Sequence, residues 1–227
     1  MKKIFLVPLL ILSIFVFFIF IVNNDQDDFV IKPENAGNQI GLVEIPAVEK
    51  KDAEKTVDFS SLTSPLNKAD ERVTKKKFGT YVTPKNSPVQ PEKFQGFHAG
   101  VDFEIFPGEE DIDVFVSAIC SGRLLAKRTA SGYGGVAVQS CDLGGKPVTV
   151  VYGHLELESI RHEVSNVLNA GDKLGFLGKG YSSQTDGERK HLHLGIHRGK
   201  TINILGYVNS RELLSDWIDP CLYFCKK

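Results

Sequence analysis

Hydrophobic and polar positions change rhythm twice along this chain of 227 residues. Ile4 to Val22 is an almost unbroken apolar run, interrupted by Pro8 and Ser13. A helix of about 20 apolar residues crosses a bilayer, so residues 1–24 are predicted to be a transmembrane helix. From 25 to 77, Asp, Glu, Lys, Asn and Pro dominate and apolar residues are scattered. Such a segment buries too little surface to offset its ordering entropy. It predicts a linker, with short local structure near 40–48. From Phe78 the texture becomes short apolar alternations punctuated by glycine. Val101, Phe103 and Ile105 alternate with Asp102 and Glu104, and further strands are predicted at 114–119, 123–127, 136–140, 148–152, 174–177 and 192–196. Leu143-Gly144-Gly145-Lys146 reads as a hairpin turn between two of them, and Gly132 to Gly135 as a glycine-rich loop. A helix is predicted over 158–169 and a short one over 211–217. Strands this short and frequent predict one mainly β domain over 78–225, an antiparallel sheet or sandwich.

Charge orients the first segment. Lys2 and Lys3 precede the apolar run, and Asp25, Asp27 and Asp28 follow it, which predicts an N-terminus inside and a C-terminus outside. A cleaved signal peptide has an apolar region of roughly 7–15 residues and a small-x-small site. Here the run is longer and ends Phe20-Ile21-Val22-Asn23-Asn24. The sequence therefore predicts a single-pass anchor in the cell membrane, with the rest of the chain extracytoplasmic.

Four cysteines suit that compartment. Cys120 and Cys141 each end an apolar run and are placed for a cross-strand bridge. Cys221 and Cys225 lie close together, and the sequence does not choose among the possible connectivities. A formal net charge of −1 gives no bulk attraction to nucleic acid or anionic lipid. The run Lys75-Lys76-Lys77 is too short for a nucleic-acid patch and reads as a solvated linker end. Oligomeric state is left open.

The chemistry concentrates in three places: His98-Ala99-Gly100-Val101-Asp102, Tyr152-Gly153-His154-Leu155 and His191-Leu192-His193. They hold four of the six histidines. A catalytic zinc ion takes three ligands from His and Asp/Glu and keeps one position open for water. Alternate residues on a strand share a face. If 98–105 is extended, His98 and Asp102 share one face, with Val101, Phe103 and Ile105 toward the core. Likewise His191, His193, Gly195 and His197 share a face opposite Leu192, Leu194 and Ile196. Two polar faces could then meet in a groove, with histidines to spare for proton transfer. Glu104 has the parity of Asp102, so spacing alone leaves it open as a ligand. His162 reads as a surface residue and His197 as a strand-end one.

In this order and spacing, the motifs resemble the lysostaphin/LytM-type zinc metallopeptidase family over about residues 95–223. The resemblance rests on Gly96-Phe97-His98-Ala99-Gly100-Val101-Asp102-Phe103, Ser121-Gly122-Arg123-Leu124, Gly132-Tyr133-Gly134-Gly135-Val136 and Tyr152-Gly153-His154-Leu155. It continues through Ala170-Gly171-Asp172-Lys173-Leu174-Gly175, His191-Leu192-His193-Leu194 and Asp219-Pro220. It implies an antiparallel sheet with an open groove over one face and peptidoglycan peptide cross-bridges as substrate. It implies one Zn²⁺ per chain, held by His98, Asp102 and His193, with His154 and His191 as catalytic histidines. Of these two, His191 is expected to be the base, although the sequence leaves the roles exchangeable. A non-catalytic wall-binding or amidase-activating protein of the same fold is the alternative. Two departures stand out. Arg189-Lys190 replaces the Gly-Pro that many members carry before His-Leu-His, in a polar loop, 181–190, expected to border the groove. The acidic insertion Glu109-Glu110-Asp111-Ile112-Asp113 reads as a solvated loop.

Overall fold

In a computed structural model of the protein, residues 62–226 are described. The predicted transmembrane helix and the linker up to residue 61 lie outside them. The described part is almost entirely β, and every strand pairing in it is antiparallel. In chain order the strands are β1 (Tyr81–Val82), β2 (Gly96–His98), β3 (Val101–Glu104), β4 (Phe115–Ser117), β5 (Gly122–Ala130), β6 (Gly134–Leu143) and β7 (Lys146–Gly153). They continue as β8 (Leu155–Glu156), β9 (Val167–Leu168), β10 (Lys173–Leu177), β11 (His191–Arg198), β12 (Tyr207–Val208) and β13 (Trp217–Ile218), before a short helix α1 (Cys221–Phe224).

The principal sheet runs β13-β11-β7-β6-β5-β9, and β3 joins it on β11. Two smaller sheets, β1-β2-β12 and β4-β10-β8, complete the fold. Alternation explains the main sheet. Leu124, Ala137, Val150, Tyr152, Leu192, Leu194 and Ile196 point into one core together with Val101, Phe103, Val116 and Leu174. Val136, Val138 and Val151, of opposite parity, point into a second cluster with Ala99, Tyr133, Val208 and Trp217. The β6–β7 hairpin closes through Gly144 and Gly145 at φ 62° and 80°, the left-handed pair that a two-residue turn requires. Asp142 Oδ1 accepts from the Gly145 amide at 2.6 Å.

Several expectations are corrected. The structured domain begins at least at residue 62, well before 78. Leu66 and Ala69 are buried in the core, and Arg72 and Lys76 are each only 2% exposed. The reason is partly backbone pairing: the amides of Asp102 and Glu104 donate to the carbonyls of Lys76 and Arg72, which gives β3 a partner on its free edge. Lys76 is therefore no solvated linker residue, and its ammonium pairs with buried Glu92 at 2.6 Å. The helix expected over 158–169 is replaced by a 3₁₀ turn, Leu157–Ser159, and strand β9. The backbone there pairs with β5: Ser165 donates to the Leu124 carbonyl and Leu124 to the Asn166 carbonyl. Over 211–217 there is a 3₁₀ helix, Glu212–Asp216, running into β13. Disulfides join Cys120 to Cys141 and Cys221 to Cys225.

Candidate metal centre

Segment 98–105 is not one continuous strand. Residues four apart on a continuous strand are about 13 Å apart, too far for His98 and Asp102 to share an ion. The chain bends at Ala99-Gly100 between β2 and β3, and the bend brings His98 Nε2 to 3.2 Å from Asp102 Oδ1. Gly100 is needed at that bend. A Cβ there would stand 2.7 Å from His193 Nε2 and 2.6 Å from the Leu194 carbonyl oxygen. On the other side, β11 places His193 directly across from Asp102 and His191 across from Glu104.

Three ligand atoms thus converge. His193 Nδ1 is 3.0 Å from His98 Nε2 and 3.2 Å from Asp102 Oδ1. All three residues are buried, and among the described residues they form the one group of His, Cys, Asp and Glu placed to hold a metal ion. The chemistry of the donor set fits a cation. His98 Nδ1 lies 3.2 Å from the Lys77 carbonyl, which can only accept, so Nδ1 carries the proton and Nε2 presents a lone pair. Asp102 Oδ1 presents another. With the His193 proton on Nε2, its Nδ1 adds a third lone pair, and a cation among the three would satisfy them all, since donors bound tetrahedrally at 2.0–2.1 Å lie about 3.3 Å from one another.

His191 and His154 stand beside this triangle. His191 Nδ1 is 2.8 Å from the Arg189 carbonyl, so by the same reasoning its Nε2 is the free nitrogen, 3.3 Å from Asp102 Oδ2. His154 lies between β7 and β8 with φ 63°, a left-handed conformation that histidine tolerates better than most residues and that often marks functional positions. Its ring centroid is 4.2 Å from that of His191. Gly153 makes room for this corner, because a Cβ there would collide with the Tyr133 ring. The side-chain nitrogens His154 Nδ1, His193 Nε2 and Arg189 Nη1 and the Tyr133 hydroxyl are buried without partners. Asp102, Tyr133, His154, Arg189, His191 and His193 all line one open cavity of about 340 Å³.

Burial dominates the electrostatics. It pushes the His193 imidazole down to about 4 against the opposing pull of Asp102, and it holds His154 well below its ordinary value, with His191 adding to the effect. Burial alone would raise the Asp102 carboxyl, but His191, His98 and His193 outweigh it and keep the acid well below 3.8. Burial also raises the Tyr133 phenol, with Asp102 assisting, so it stays a hydrogen-bond donor. These directions predict how the metal-free domain responds to acid. Below 6.5 the unfolded chain takes up protons that folded His193 and His154 refuse, so stability falls as pH falls from 6.5 toward 4. Below 3.8 Asp102 adds a loss of the same sign. Urea unfolding with a chelator present is expected to show stability lower by on the order of 3 kcal/mol at pH 4.5 than at pH 7. A midpoint that does not fall would contradict these burial effects.

Among the expected site residues, His98, Asp102, His193, His191 and His154 are brought together. Glu104 is not part of the triangle; its carboxylate grips Arg189 Nε at 2.9 Å. His197 lies at the far end of β11 against Trp217, ring centroids 4.9 Å apart, and does not line the cavity. The acidic insertion is solvated, with Glu110 to Asp113 exposed, and it is also tethered: the carbonyls of Glu109, Glu110 and Ile112 accept from Lys190 Nζ at 2.6–3.2 Å. Sequence reasoning did not anticipate the roles of Tyr133, Arg189 or the Lys77 carbonyl. No strand period signals Arg189, because a bend at Lys190 separates it from β11.

Residues 96–204 match the model of peptidase family M23. This part of the chain is a domain of that family, the one that contains the LytM-type peptidases. No curated protein matches the chain. Among solved structures, CbpA from L. salivarius REN is 22% identical, with 72% of this chain and 94% of that chain covered and a TM-score of 0.46. LytU is 20% identical, with coverages of 67% and 83% and a TM-score of 0.44. A chain of the SpoIIIAH–SpoIIQ complex is 18% identical, with coverages of 72% and 99% and a TM-score of 0.45.

Proposed function

We propose that this protein is a membrane-anchored zinc metalloendopeptidase that hydrolyses peptide cross-bridges of peptidoglycan outside the cytoplasm. The observation that carries the reading is the convergence of His98 Nε2, Asp102 Oδ1 and His193 Nδ1 within 3.0–3.2 Å beside two further histidines in an open cavity. The domain's membership in peptidase family M23 supports peptide-bond hydrolysis. The apolar run from Ile4 to Val22, flanked by lysines and then aspartates, supports the anchor and the outward orientation.

His98, Asp102 and His193 would hold the ion. When bound, zinc supplies Lewis acidity, which polarises a carbonyl and lowers the pKa of water toward about 7. The chain's own residues do the rest. His191 accepts the proton of the attacking water at Nε2, because its Nδ1–H is committed to the Arg189 carbonyl. His154, kept neutral by burial, hydrogen-bonds the developing oxyanion or passes a proton to the leaving amine. The Tyr133 hydroxyl, protonated and without a partner, offers a further donor to substrate oxygen.

The test is digestion of purified peptidoglycan by the full-length chain in detergent, read by mass spectrometry of the muropeptides. Loss of cross-linked species with new amino and carboxyl ends, abolished by chelator and restored by zinc, is expected. An unchanged profile from zinc-loaded protein would favour the wall-binding or amidase-activating alternative.

A further inference from the structure

We infer that Arg189, clamped by Glu104, is a positioning residue that decides which oxygen of Asp102 faces the metal position. This rests on the metal reading of the same triangle. The geometry starts from the pairing of β3 with β11. Asp102 and Glu104 are two apart on β3, and His193 and His191 stand across from them on β11. Arg189 lies just outside β11, next to a bend at Lys190, and its side chain turns inward to the face that Asp102 and Glu104 share. There the guanidinium spans both acids. Its Nη2 donates to Asp102 Oδ2 at 2.8 Å. Its Nε donates to Glu104 Oε2 at 2.9 Å and Oε1 at 3.1 Å, and Nη2 also contacts Glu104 Oε1.

The two oxygens of Asp102 are thereby divided. Oδ2 is held by the guanidinium, and Oδ1 is left toward His98 and His193. A carboxylate held by one oxygen cannot rotate away from the ion, and groups that orient ligands in this way govern metal affinity. Glu104 has a distinct part. Without it, the positive charge of Arg189 would lie beside the cation position with no counter-ion, competing for Asp102. The fork of Arg suits this task, since an ammonium cannot reach two carboxylates in fixed geometry. Residue 189 also orients His191, but through its backbone carbonyl, which side-chain substitution leaves in place.

The experiment measures zinc affinity by competition with a chromophoric chelator, and the visible spectrum with Co²⁺ in place of zinc, on the full-length chain in detergent. A wild-type chain that binds no zinc defeats the metal reading itself. Given one zinc per wild-type chain, Arg189→Ala is expected to bind it roughly 10–100-fold more weakly, with an altered cobalt spectrum. Arg189→Lys should recover part of the loss, and Glu104→Gln should also weaken binding. A salt bridge with only a structural role would lower thermal stability and leave affinity and spectrum of the folded protein unchanged, and that result overturns the inference. If Arg189→Ala does not fold, Arg189→Met combined with Glu104→Leu removes the buried pair as a unit, a replacement that proteins often tolerate. Wild-type zinc affinity in that folded double variant also overturns it.

Discussion

Replacing His193 by alanine is expected to remove metal and activity together. His193 Nδ1 closes the triangle with His98 Nε2 and Asp102 Oδ1 at 3.0 and 3.2 Å, and two remaining donors are one short of the three that a catalytic zinc ion takes. The loss should therefore be nearly complete. Zinc measured by atomic emission should fall from about one per chain to near zero, and muropeptide release should fall to the no-enzyme level. Folding should survive. His193 sits in the middle of β11 between Leu192 and Leu194, which keep their places in the core, and alanine removes a buried imidazole whose Nε2 has no partner. A variant that retains one zinc per chain would show that the ligand set is wrong, even if activity disappeared.

Much of this arrangement was legible in the sequence wherever a simple period governs the backbone. The alternation of Leu192, Leu194 and Ile196 with His191, His193 and His197 put two histidines on one face, and β11 has that register. The Gly144-Gly145 turn was legible because left-handed backbone leaves few choices of residue. Parity failed at His98 and Asp102. They meet because the chain bends at Gly100, and a bend interrupts the period on which parity depends. Composition failed over 62–77. The segment is polar, but Arg72 and Lys76 are buried against acids from elsewhere: Arg72 Nη1 pairs with Glu109 at 2.6 Å and Lys76 with Glu92 at 2.6 Å. A charge with a distant partner looks solvated when read along the chain.

The two departures from the family pattern illustrate the same limit more sharply. Arg189-Lys190 and the acidic insertion at 109–113 are 78 residues apart in the sequence at their closest bonded pair, Lys190 and Ile112. In three dimensions they are one feature. Lys190 anchors the insertion through backbone carbonyls, and Arg189 turns inward to Glu104 and Asp102. Lys77, from the supposed linker, supplies the carbonyl that fixes the His98 tautomer. Such partners depend on tertiary pairing of β3 with β11 and of 72–76 with β3, which no local pattern encodes.

His191→Ala should give the contrasting phenotype: zinc retained and hydrolysis lost. Its imidazole belongs to none of the three converging donors, so the ion's ligands stay intact. What disappears is the nitrogen whose lone pair is aimed at the site. The 2.8 Å bond from Nδ1–H to the Arg189 carbonyl sets that tautomer, and a base held in this way contributes typically about 10²–10⁴-fold to rate. The expected fall in kcat is of that size, with zinc content still near one per chain. His154→Ala should also keep zinc, and comparing the two separates their parts. If His191 is the base, raising the pH should partly restore the His191→Ala rate, because hydroxide increasingly replaces the missing base. No such recovery is expected for His154→Ala if His154 serves the oxyanion or the leaving amine. Wild-type hydrolysis by His191→Ala would remove His191 from the mechanism. Recovery at high pH confined to His154→Ala would exchange the two assignments and leave the metal triangle untouched.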